Sequence, residues 1–196
     1  MKKVIIFAMA AIFMMPKIVQ ADNDTFQLLQ KLDNLADSSL EFVQAGRFEE
    51  AKAALLHIEE EISSGSINYL SLEYSDWRIV EEALREAIRS LDGEGNSPKV
   101  FEDSVAKFRF ALDAFVTENE PLWGQMEDQV LQAFHSVKSA AEEGNPIHFR
   151  DQYHTFLSLY NILYPSLLID VPKEKLTKVD RKIENIANDP SQYLLS

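Results

Sequence analysis

The chain has 196 residues, with 32 acidic against 19 basic side chains, a formal net charge of -13 and no cysteine. A chain of this length is expected to fold as one domain. The lack of Cys excludes disulfide scaffolds, thiolate metal centres and cysteine nucleophiles, and the acidic balance disfavours nucleic acid and anionic lipid as partners.

The first segment is basic and apolar. Lys2 and Lys3 precede an uninterrupted apolar run from Val4 to Met15, Pro16 breaks it, and Val19-Gln20-Ala21 offers small residues at the two subsites of a cleavage site. Residues 1–21 are therefore expected to be a signal peptide cleaved after Ala21, which exports the chain across the cytoplasmic membrane to a secreted or cell-envelope location. Loss of its three lysines moves the formal charge from -13 to -16. Residues 22–190 are expected to form a single helical domain and 191–196 a C-terminal tail. No later apolar stretch approaches the roughly 20 residues that a membrane span needs.

Downstream, apolar residues recur at alternating intervals of four and three, the mark of a helical stripe. In the first segment the stripe is Leu28, Leu32, Leu35 and Phe42, with Asp24 and Gln27 as a capping pattern. The second runs through Phe48, Ala51, Leu55, Ile58 and Ile62, and the third through Trp77, Val80, Leu84, Ala87 and Leu91. Pro98 opens a fourth helix with Phe101, Val105, Phe108, Leu112 and Phe115 inward, and Pro121 opens a fifth with Met126, Val130, Phe134, Val137 and Ala141. The sixth uses Phe149, Tyr153, Phe156, Tyr160 and Leu163 before Tyr164-Pro165, and a seventh after Pro172 uses Leu176, Val179, Ile183 and Ile186. Residues 167–171 are expected to run as an extended linker. The fold class is all-α: an antiparallel bundle of about six or seven helices built from helical hairpins.

Motifs that carry chemistry are sparse. His57, His135, His148 and His154 form no pair at metal-binding helical spacing. The run from Asp92 to Ser97 with Asp103 imitates a calcium loop but puts Ser97 where the sharp turn needs glycine. The carboxylate pairs read as solvated helix faces, with Glu81–Arg85 and Asp103–Lys107 as i, i+4 partners. No catalytic, cofactor-binding or metal-binding residue is assigned, no cofactor is expected, and the chain is read as no enzyme. Arg109 and Asp113 do stand out: i, i+4 spacing inside the aromatic run from Phe108 to Phe115 lets them pair in a half-buried setting, as a structural brace or a partner anchor. Trp123 follows them, and Trp77 with Tyr69 and Tyr74 forms a second aromatic cluster suited to an interface or to core packing.

Three stretches carry a family resemblance: Gly46-Arg47-Phe48-Glu49-Glu50-Ala51-Lys52; the run from Phe108 to Ala114 followed by Pro121-Leu122-Trp123; and Tyr164-Pro165-Ser166-Leu167-Leu168-Ile169-Asp170. Through them the chain resembles the YpjB family of sporulation proteins over most of residues 26–188. Asp170, closing the third stretch, joins Arg109, Asp113, Trp77 and Trp123 as a candidate anchor. The resemblance implies an exported or membrane-anchored helical protein linked to spore formation, with no assigned enzyme activity and, as a family trait, a C-terminal hydrophobic anchor. No such anchor is visible in this sequence through Ser196. The expected function is a non-enzymatic exported helical protein acting in sporulation through a protein partner in the cell envelope. The alternative is an extracytoplasmic small-ligand-binding or sensory helical module with a pocket near Trp77 or Trp123.

Overall fold

The computed structural model describes residues 23–64, 74–93, 96–116 and 122–188, apart from the side chains of residues 23, 24, 122–125 and 127. The expected signal peptide, Tyr69 and the C-terminal tail lie outside the described residues. Seven α-helices follow one another: α1 Asn23–Gln44, α2 Phe48–Ser63, α3 Tyr74–Asp92, α4 Pro98–Val116, α5 Leu122–Glu142, α6 Pro146–Asp170 and α7 Lys173–Asn188. No strand occurs among the described residues, as the helical periodicity requires.

Local chemistry sets several of the helix ends. After α1, Gly46 takes a left-handed φ of 73°. Its amide then donates to the Val43 carbonyl at 2.9 Å and the Arg47 amide to the Phe42 carbonyl at 2.8 Å, so two otherwise unpaired carbonyls are satisfied. The Arg47 guanidinium lies 4.3 Å from the centre of the Phe42 ring, which adds a cation–π contact across the same turn. Gly144 repeats the left-handed conformation between α5 and α6. Asn145 then caps α6: its Oδ1 accepts from the amides of Ile147 at 3.1 Å and His148 at 3.2 Å, while Pro146 fills the first position, where no donor is needed.

Two expectations are corrected. Along α1 the buried positions are Thr25, Leu29, Leu32, Ala36, Ser39 and Val43, whereas Leu28, Leu35 and Phe42 flank the core half-buried. The inward stripe is displaced because small and polar residues occupy it. Ser39 is tolerated there because its hydroxyl donates to the Ala36 carbonyl at 2.7 Å. The same helix starts at Asn23, one residue ahead of the capping pattern.

The second correction concerns residues 165–171. The helix does not stop at Tyr164-Pro165; α6 continues through Pro165 to Asp170, and the stretch expected to be extended is mostly helical. Proline inside a helix removes the donor for the Asn161 carbonyl and costs about 3 kcal/mol. Burial of Leu167 and Ile169 beyond the break offsets this, at roughly 1.5–3 kcal/mol each.

The chain divides into two compact units. The first contains α1 to α4 with the Ile162–Ile169 stretch of α6. In it α1 packs on α2 and α4, and α3 packs on α4 and α2. The core centres on Leu29, Leu32, Leu55, Ile58, Trp77, Val80, Phe108 and Leu112. Polar ties stitch its surface: Lys31 to Glu61 at 2.7 Å, Lys52 to Asp92, Lys107 to Glu86 at 3.0 Å, and Ser90 to Ser104 at 2.5 Å.

The second unit contains α5, the Pro146-to-Asn161 part of α6, and α7. Aromatic residues on α6 form a ladder, with ring centres 6.1 Å apart for Phe149 and Tyr153 and 5.9 Å for Phe156 and Tyr160, and Phe134 of α5 lies 5.8 Å from Phe156. The Tyr153 hydroxyl donates to the Ile183 carbonyl at 2.6 Å and the Tyr160 hydroxyl to Asp180 Oδ1 at 2.8 Å, which fastens α7 to α6.

Candidate functional site

The strongest polar feature of the first unit is built on α4, the most enclosed helix. From Ser104 to Val116 nearly every residue of α4 is buried, so Arg109 and Asp113 are carried inward with their neighbours. Arg109 is 3% exposed and Asp113 0%. Arg109 Nη1 donates to Asp113 Oδ1 at 3.4 Å, the contact that their i, i+4 spacing predicts.

Two further carboxylates come from α1, which lies alongside α4. Arg109 Nε donates to Asp37 Oδ1, and Asp33 Oδ1 lies 2.8 Å from Arg109 Nη1. The Asp33 contact is off the N–H direction: that buried oxygen has no aligned donor, so the interaction is coulombic rather than a hydrogen bond. One guanidinium thus faces three carboxylates. Burial raises the Asp33 pKa, Arg109 opposes that rise, and the neighbouring Asp37 adds to it. Burial also works against the Arg109 charge, but the Asp37 hydrogen bond and the three negative neighbours more than compensate, and its pKa rises.

The arrangement braces α1 against α4. Removing water from Arg109 is costly, and the cost is tolerable only because charged acceptors surround it. The sequence pattern singled out Arg109 and Asp113 but not Asp33 and Asp37. Their signal was available in principle, since two aspartates at i, i+4 sit beside the buried positions Leu32 and Ala36.

The remaining candidates are placed differently. Trp77 is 0% exposed and packs edge-on against Phe115, with ring centres 5.5 Å apart, so its ring is core of the first unit. Its Nε1 finds no acceptor among the described residues. Tyr74 at the same helix start is well exposed. The Trp123 side chain lies outside the described residues, while Asp170 is buried at the end of α6. Trp123 and Asp170 both belong to the second unit, apart from the Arg109 cluster and Trp77.

Surface pairing also departs from expectation. Glu82, not Glu81, binds Arg85 at 3.0 Å and Arg89 at 2.9 Å, and Asp103 pairs with Lys99 at 2.8 Å, leaving Lys107 to Glu86. On a long helix each flexible cation has several carboxylates within reach, and pairs worth only about 0.3–0.5 kcal/mol are decided by small differences. Hydrogen bonds from Arg85 and Arg89 hold the Glu82 pKa low, and one from Lys31 does the same for Glu61. Asp92 of the calcium-like run is engaged by Lys52. His148 Nδ1 lies 2.8 Å from Glu143. Among the described residues no three metal-ligating side chains converge, and no helix is long and apolar enough to cross a membrane.

A groove on the first unit lies between α3 and the Ile162–Ile169 stretch. This groove has a volume of about 320 Å³, an apolar lining of Ile79, Ala83, Pro165 and Leu168, and a charged lining of Arg78, Glu82 and Glu86. Continuation of α6 through Pro165 places the last two apolar residues there. Leu168 is among the exposed large hydrophobics, at 41%.

The chain matches a family model described as Sporulation protein YpjB (SpoYpjB) over residues 29–195. It is similar to a curated relative described as an uncharacterized protein YpjB of Bacillus subtilis (strain 168), at 27% identity over 168 residues. That alignment covers 85% of this chain and 64% of the relative, so the chain spans a little under two thirds of the relative's length. No solved structure matches.

Proposed function

The chain belongs to the YpjB family of sporulation proteins, and from that premise we propose that it acts in spore formation as an exported, non-enzymatic helical protein that docks a protein partner in the cell envelope. The family match over residues 29–195 carries the sporulation role. The basic and apolar segment of residues 1–21 supports export.

Docking is supported by how the polar chemistry is distributed. The buried charges of the first unit are directed at one another and brace α1 against α4, while the groove beside α3 leaves Leu168 exposed next to half-buried Ile79, among Arg78, Glu82 and Glu86. Apolar side chains framed by charge suit a partner's side chain. The helix–turn–helix connections at Gly46 and Gly144 fit a design of repeated hairpins, in which rigid helices hold such a surface in place.

The test is site-specific photocrosslinking in sporulating cells, with the photoreactive residue at position 168 or, as a control, at exposed position 132. A discrete adduct at 168 and none at 132 is expected. No adduct at either position, or the same adduct at both, would overturn docking through this groove. A small-molecule module would instead gain melting temperature with one metabolite of a screened set.

A further inference from the structure

Helix α7 reverses the electrostatic character of the chain. In a molecule with 32 acids and 19 bases, this one 16-residue helix carries five of the bases: Lys173, Lys175, Lys178, Arg181 and Lys182. Four of them are exposed and Lys182 is partly so. Among the described residues, no carboxylate lies within ion-pair distance of any of the five, whereas several other surface cations, such as Lys31, Lys52, Lys99 and Lys107, do have carboxylate partners.

The three acids of α7, Glu174, Asp180 and Glu184, offset part of the helix's charge, but among the described residues none lies within ion-pair distance of the stripe. Asp180 is turned towards α6, where it accepts from the Tyr160 hydroxyl. Glu174 stands four residues before Lys178, the spacing of a helical ion pair, yet the two are not in contact. Lys175, Lys178 and Lys182 follow at i, i+3 and i+7 and therefore share one face. The apolar face of the helix, Leu176, Val179 and Ile186, is already buried within the second unit.

We propose that the basic face of α7 is a docking site for a carboxylate-rich segment of a partner protein. The proposal rests on the partner-docking reading above and supplies the partner's chemistry. Charge complementarity selects an anion, and two arguments select a segment over an extended anionic surface. First, an amphipathic helix held on a bilayer inserts its apolar face, and here that face is occupied. Second, the stripe from Lys175 to Lys182 is about 10 Å long, close to the screening length of about 8 Å at physiological ionic strength. A narrow segment lying on it feels mainly the lysines. A membrane or a nucleic-acid duplex extends past the stripe and meets the field of a chain at -13.

The experiment measures anisotropy of a fluorescent twelve-residue oligoglutamate peptide titrated with the full chain, at about 50 mM and about 500 mM salt. Binding at low salt that weakens at high salt is expected. The triple variant Lys175→Glu, Lys178→Glu, Lys182→Glu should weaken it about tenfold or more, while Lys138→Glu on α5, an exposed cation off the stripe, should leave it unchanged. Circular dichroism of the triple variant should match the parent, because the substituted side chains form no core. No binding at low salt, or an equal loss with Lys138→Glu, overturns the proposal. Equal or tighter binding to phosphatidylglycerol vesicles, with the same dependence on the three lysines, overturns it in favour of a lipid surface. Peptide binding needs neither the native partner nor the groove. A negative result here beside a position-168 crosslink therefore removes only the α7 site, and the converse result removes only the groove.

Discussion

At Arg109 a single positive charge is enclosed with more negative neighbours than it can neutralise. Replacing Arg109 with Met keeps most of the volume but removes the guanidinium that the enclosed Asp113 and half-buried Asp33 face. A loss of about 3–5 kcal/mol is expected in urea unfolding. Asp113→Ala should cost clearly more than Glu60→Ala, an exposed change that should stay within about 0.5 kcal/mol; equal costs would make the Arg109 pair an ordinary surface contact. Asp33 behaves differently. Its pKa is raised in the folded chain, so the fold binds that proton more tightly than the unfolded chain does. The contribution of Asp33 is then most favourable below the ordinary carboxylate pKa of about 3.9 and is lost as pH rises through the raised value. Asp33→Asn removes this loss: the variant should be at least as stable as the parent at neutral pH, with its advantage shrinking in acid. Unfolding measured across pH checks the sign. Glu61 and Glu82, both lowered by hydrogen-bonded cations, act oppositely and weaken the fold as pH falls through their lowered values.

At the scale of elements, the helices from α2 to α5 and α7 were legible because each repeats apolar residues at three and four over several turns. The proline and glycine punctuation is legible for the same local reason, since it depends on backbone geometry alone. Gly46 is the sharpest case: a side-chain carbon added there would touch nothing within 4 Å, so Gly46→Ala measures the left-handed φ of 73° and little else. A loss of about 1–2 kcal/mol in thermal unfolding is expected. What local pattern concealed was decided by packing at a distance. The inward face of α1 passes through Thr25, Ala36 and Ser39, which carry a weak apolar signal, while the stronger signal of Leu28, Leu35 and Phe42 lies at its margin. Pro165 reads as a stop, yet burial of Leu167 and Ile169 carries the helix past it. Half of the charged cluster was hidden likewise: Arg109 and Asp113 share a helix, but Asp33 and Asp37 arrive only when α1 packs on α4.

Across the whole molecule the acidic excess has two consequences. It disfavours approach to anionic surfaces, and it sets off the basic face of α7, the surface proposed for an acidic segment. The groove and the α7 face, both proposed docking surfaces, belong to different units and offer different chemistry, one apolar contact and the other charge. Salt should therefore weaken docking at α7 while sparing docking at the groove. The chain belongs to a family of sporulation proteins, and both surfaces are proposed to serve that role. The most direct test of that role is the count of heat-resistant spores from a strain lacking the gene, alongside the same strain complemented with the wild-type gene. The account predicts a reduced count that complementation restores; an undiminished count in the deletion strain would contradict it.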